Sequence, residues 1–150
     1  MPADVMDYLQ SLLALTIVGV ILTSSFAVYA NSLTQASEVN QLKEVLNQVA
    51  AEAMDGLVAV TEDNANVSLV FSLPLKIGNK DYWIRLGNDS SASWVEGAFG
   101  SASVYGEQEC RVYLPRKVYA SGTFEGGYQL AQLLCVANGS IPQITLSRRT

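Results

Sequence analysis

Histidine is missing altogether from this chain of 150 residues. With it go the commonest general base, the commonest metal ligand and every catalytic triad built on imidazole. Positive charge is sparse as well: nine Lys and Arg stand against 14 Asp and Glu, a formal charge of −5. The nine are scattered, so no basic patch marks a footprint for nucleic acid or an anionic membrane surface. Charged residues of both signs make up only 15% of the chain and apolar residues 49%, whereas an ordinary soluble domain is roughly 25% charged. Something other than water covers part of this protein. The two cysteines, Cys110 and Cys135, are too few for a thiolate metal site and too far apart for a redox pair. They leave either two buried thiols or a disulfide, which closes a loop of about 25 residues, stabilises by roughly 3 to 4 kcal/mol and suits an oxidising, extracellular setting.

What is present is concentrated at the N-terminus. No charged residue lies between Asp7 and Glu38, and Leu12 to Leu22 (LLALTIVGVIL) is almost continuously apolar. Burying about nine such side chains at ~1.5 to 3 kcal/mol each is favourable by well over ~10 kcal/mol, so the run requires a hydrophobic partner. A helix from Tyr8 to Ala30 is ~35 Å long at ~1.5 Å per residue, enough to cross a bilayer core of ~30 Å. A secretory signal is the competing reading, with Val28-Tyr29-Ala30 as its cleavage site, but the flank carries Asp4 and Asp7 and no Lys or Arg, the reverse of the positive region such a signal needs. Pro2 sits where a first helical turn tolerates it, and the next proline is Pro74. Beyond Ala30, Val39, Leu42, Leu46, Val49 and Ala53 recur three and four apart among Glu38, Gln41, Lys43, Glu44, Asn47, Gln48 and Glu52. That spacing predicts an amphipathic continuation of the same helix to about Asp55.

After Gly56 short β-branched and aromatic runs alternate with turn residues. Strands are expected at 67–73, 75–77, 82–86, 102–105, 110–114, 117–120, 130–137 and 143–146, with loops at 87–98 and 121–127. Gly78-Asn79-Lys80-Asp81 predicts a hairpin joining 75–77 to 82–86, and alternation places Tyr82, Ile84 and Leu86 on one face with Trp83 and Arg85 on the other. The fold class expected is α+β: a hydrophobic and then amphipathic helix over 1–56, followed by a β-sandwich, immunoglobulin-like, over 57–150.

The layout of an uncharged apolar helix, its amphipathic continuation and a small β-domain resembles the archaeal type IV pilins and related surface filament proteins. The stretch SLPLKIGNKDYWIRL (Ser72 to Leu86) is similar to a pattern in their outer domains: a Leu-Pro pair, then Ile-Gly, then an aromatic-led strand. The resemblance implies a prepilin that loses a basic leader to a membrane peptidase, waits in the cytoplasmic membrane and polymerises into an extracellular filament. Its partners would be identical subunits, with surface glycans possible on the β-domain and no cofactor. Leu9, Leu12, Leu13, Leu15, Thr16, Ile17, Gly19, Val20, Ile21, Phe26 and Val28 would form the assembly core, with Thr23, Ser24 and Ser25 supplying close approach and interhelical hydrogen bonds. Bacterial type IV pilins begin with Phe and carry Glu at the fifth residue, and this chain has neither. Asp4 or Asp7 is the candidate for that acid's charge-neutralising role, two exposed acids being the plainer reading. A membrane-anchored monomeric surface-binding protein, or a minor pilin acting as adhesin, is the alternative.

Other candidate sites are weaker. Sequons for N-glycosylation stand at Asn66, Asn88 and Asn138. Glu96, Glu107, Glu109 and Glu125 contain no spacing that fixes a carboxylate pair across a glycosidic bond, so solvated loop acids are the expectation. No catalytic residue is expected.

Overall fold

The computed structural model describes residues 2–63, 65–101, 110–137 and 141–149, with helix side chains from Val5 to Glu62. One helix, α1 (Pro2–Asp63), is followed by eight strands: β1 (Val67–Ser72), β2 (Tyr82–Asn88), β3 (Ser93–Phe99), β4 (Cys110–Leu114), β5 (Tyr119–Ser121), β6 (Thr123–Glu125), β7 (Leu130–Val136) and β8 (Gln143–Arg148). The strands form two four-stranded sheets, ordered β1-β7-β8-β5 and β4-β3-β2-β6, so the fold is α+β as expected. The chain divides into two compact units, residues 1–37 and 38–150. This boundary falls inside α1, because the second half of the helix is part of the core of the larger unit.

The reason is the three-and-four spacing of its apolar residues. Leu42, Leu46, Val49, Ala53, Leu57 and Val60 are all buried and belong to one hydrophobic cluster with the inward side chains of both sheets, among them Phe71, Ile84, Val95, Phe124, Leu133, Ile144 and Leu146. Small residues let the helix approach closely. A Cβ on Gly56 would lie 2.6 Å from Cys135 Sγ and 3.1 Å from Leu69 Cδ1, and one on Gly97 of β3 would lie 3.0 Å from Leu46 Cδ2. The helix therefore packs against β1 and β7 near Gly56 and against β3 near Leu46. The two four-stranded sheets are thus packed in a sandwich-like way, with the second half of the helix contributing to the same core.

The sheets are joined where β5 gives way to β6. Gly122 separates these strands with φ of 107°, and a Cβ there would sit 2.0 Å from the Leu146 carbonyl oxygen. Its own carbonyl accepts the Leu86 N–H at 3.0 Å, and Asn88 Oδ1 accepts the Ala120 N–H at 3.1 Å. Only glycine fits that crossing.

Several strand expectations change. The hairpin between 75–77 and 82–86 is absent: β2 pairs antiparallel with β3 and with β6, and the 75–81 segment keeps only an isolated bridge between Ile77 and Lys80. The turn residues there were legible, but the segment is tied elsewhere. Glu38 Oε2 lies 2.6 Å from Lys80 Nζ, and a Cβ on Gly78 would lie 2.6 Å from Glu38 Oε1. Much of the stretch read as the 87–98 loop is β3, whose hairpin with β2 turns on Asp89: its Oδ1 accepts the N–H groups of Ser91 and Ala92, both at 2.7 Å. The 121–127 loop contains the short β6. The 102–105 strand lies outside the described residues. Expected β-face alternation appears in β2, where Tyr82, Ile84 and Leu86 join the core and Trp83 and Arg85 face away.

Cys110 and Cys135 are free thiols, which corrects the expected disulfide. Cys110 begins β4 of one sheet and Cys135 lies in β7 of the other. The Cys135 sulfur is packed against Gly56 of the helix that both sheets share.

Candidate assembly helix and the outer sheet faces

From Val5 to Leu33 every large apolar side chain of α1 is at least half exposed. Leu9, Leu12, Leu13, Leu15, Ile17, Val20, Ile21, Phe26 and Val28 range from 50 to 72% exposure, around the whole helix and not on one stripe. The helix is long and apolar enough to cross a membrane, with a mean hydropathy of 2.2 over its most apolar window. Six hydroxyls from Thr16 to Thr34 bond within the helix. Thr16, Thr23, Ser24 and Ser25 each donate at 2.8 Å to the carbonyl four residues earlier, and Ser32 and Thr34 do likewise at 3.1 and 3.0 Å. The donors expected to bond between helices are already used, and only oxygen lone pairs remain for a neighbour. A Cβ on Gly19 would meet nothing within 4 Å, so that position is a notch in the apolar surface. Asp7 is exposed, and the side chain of Asp4 lies outside the described residues.

The outer face of the β4-β3-β2-β6 sheet carries a row that sequence reading missed. Arg85, Glu96 and Arg111 stand opposite one another on β2, β3 and β4. Glu96, 1% exposed, accepts hydrogen bonds from Arg85 Nε at 2.6 Å, from Trp94 Nε1 at 2.8 Å and from Arg111 Nη2 at 2.8 Å. Arg111 lies over the Trp94 ring at 4.4 Å and Arg85 over Trp83 at 5.5 Å. Burial by itself would raise the Glu96 carboxyl, but these donors outweigh it and hold the group below the usual carboxylate range. A carboxylate held ionised by two guanidinium groups is a poor proton donor, so Glu96 is a structural ion and no general acid. Glu125, exposed on β6, stands opposite Trp83. Glu107 and Glu109 lie outside the described residues. The signal in the sequence was the alternation in SWVEGAF, which places Trp94 and Glu96 together once β3 is recognised as a strand.

Of the sequons, Asn66 is exposed just before β1, Asn88 ends β2 with its Oδ1 engaged by Ala120, and Asn138 lies outside the described residues. Tyr82 and Phe124 are buried in the core, and Trp83 is buried on the outer face of its sheet beneath Arg85. A shallow cleft lined by Glu125, Tyr128 and Arg148 is closed on one side by Arg148, whose Nη1 donates to Tyr128 Oη at 2.7 Å. Among the described residues no three Cys, Asp or Glu side chains gather as a metal-binding group. No family model, no curated protein and no solved structure matches the chain.

Proposed function

We propose that this chain is the structural subunit, a major pilin, of an archaeal type IV pilus-like extracellular filament. It is inserted in the cytoplasmic membrane before assembly and polymerises through the first half of α1, for adhesion or contact between cells. The observation that carries the reading is the change in character within one continuous helix. Its second half is striped and buried among two sheets, while Val5 to Leu33 is apolar on all sides, with every large apolar side chain at least half exposed. Such a segment needs lipid or other copies of itself. Its side-chain hydroxyls, bonded to their own backbone, cost little in either setting. The ionised, buried Glu96 suits a subunit whose surface is held rigid and does no chemistry.

Membrane anchoring of a monomeric binding protein is the second reading, favoured by the same helix being long enough to span a bilayer. Negative-stain electron microscopy of filaments sheared from cells that make the chain, with mass spectrometry of their main component, separates the two. Filaments of uniform width composed of this chain support the first; recovery as a monomer in the membrane fraction supports the second.

A further inference from the structure

The two sheets differ in what they turn outward. The β4-β3-β2-β6 sheet presents Arg85, Glu96, Arg111 and Glu125. Within the strands of the β1-β7-β8-β5 sheet, every side chain that alternation points away from the core is uncharged; Arg149, exposed just beyond β8 with its N–H donating to the Leu130 carbonyl at 3.1 Å, places one cation at the rim of this face. Val70, Tyr119, Leu130 and Leu134 are each 40 to 52% exposed there. Between them, Gln132 Nε2 donates to Ser68 Oγ at 2.8 Å. Arg148 stands at the end of β8 with the opposite parity and is turned to Tyr128. The surface continues onto the edge strand β1, which among the described residues pairs on one side only, with β7. From Asn64 to Leu75 the sequence has no charge to blunt that edge, although exposed edges are commonly protected by Lys, Pro or a bulge.

We infer that this neutral face of the β1-β7-β8-β5 sheet is a contact surface for a second copy of the chain. Charge decides the occupant. The chain carries −5, so two copies repel except where neither presents charge, and the cores of protein contacts are depleted of charged residues. An anionic lipid surface would instead select a cluster of Lys and Arg, whereas this face carries only Arg149, at its rim, among the described residues. Three strands of six or seven residues and one of three, ~4.8 Å apart at ~3.4 Å per residue, give a face of roughly 350 Å², less than half the ~800 Å² per partner of a stable complex. Such a contact holds only beside others. The inference therefore rests on the filament reading, in which helix packing supplies the rest, and adds a lateral β-domain contact to it.

The test places the photo-crosslinking residue p-benzoylphenylalanine at Leu134 of the full chain, in cells that make it. Irradiated products are then sized and mapped by mass spectrometry, and the same group at Glu125 serves as control. A product of twice the chain mass, at least tenfold more abundant from position 134 than from 125, is the expected result. Leu134→Lys is expected to reduce filament number at least tenfold while leaving the circular dichroism melt of the chain unchanged. Filaments that form normally with no copy-to-copy product from position 134, or with a product containing another protein or lipid, overturn the contact and leave the filament reading standing. A doubled product from cells without filaments keeps the contact and removes the filament reading; neither product nor filaments removes both.

Discussion

Glu96 shows how one residue can be misjudged from sequence. Read alone, it is one of several acids in a stretch with no motif; in the structure it is a nearly inaccessible carboxylate between two arginines and an indole. Replacing it by Gln preserves the shape but leaves Arg85 and Arg111 without their anion. A loss of about 2 kcal/mol is expected, since hydrogen bonds to charged groups contribute more than neutral ones, with a melting temperature lower by about 8 °C. The pH profile adds a second check. Folding lowers the Glu96 carboxyl below its unfolded value, so its stabilisation is complete above the unfolded value and is lost as pH falls through the folded one. Wild-type protein should lose stability on the acid side below about pH 4, and Glu96→Gln should show a smaller acid-side loss in melts run from pH 7 to pH 2.5. An equal acid-side loss in both proteins would assign it to other carboxylates.

Among the elements, two make opposite demands. The crossing from β5 to β6 depends on Gly122, whose φ of 107° and whose distance to the Leu146 carbonyl exclude any side chain. Gly122→Ala should cost more than about 3 kcal/mol, combining left-handed strain with a backbone clash. The expected readout is insoluble expression or a greatly lowered melt, and a near-native melt would contradict the crossing. In the first half of α1 the tolerance is reversed. Ile17→Lys or Val20→Lys adds a charge at an exposed position outside the core cluster, so the melt of the β-domain should not change. Filaments should vanish, because a buried ammonium among helices or lipid tails costs at least ~2.5 kcal/mol per subunit. Normal filaments from either variant would remove this helix from the proposed core.

For the molecule as a whole, cohesion comes from a core centred on the helix and not from a cross-link. Leu42, Leu46, Val49, Ala53, Leu57 and Val60 unite the inner faces of both sheets, and both cysteines are free. Reducing agent should leave the melting temperature within error, and thiol titration in denaturant without reductant should count two thiols. Burial raises the Cys135 thiol above its ordinary value, so it should resist alkylation until the chain unfolds. A fall of several degrees on reduction would restore the disulfide that the sequence suggested.

The helix was readable from the chain alone because its evidence is local. Freedom from proline between Pro2 and Pro74, the uncharged run after Asp7 and the three-and-four spacing from Val39 each act within a turn or two. The same holds for the strands whose alternation is strong, such as Tyr82 to Leu86 and Cys110 to Leu114. Pairing was not legible: β2 takes β3 and β6 as partners, not the nearby 75–77 segment, because Glu38 and Gly78 hold that segment to the helix. Nor could composition show that Cys110 and Cys135 belong to different sheets, or that three strands bring Arg85, Glu96 and Arg111 into one row. Sequence determines the periodicity of each segment; which segments then share a sheet depends on contacts between residues far apart in the chain, and only tertiary packing decides those.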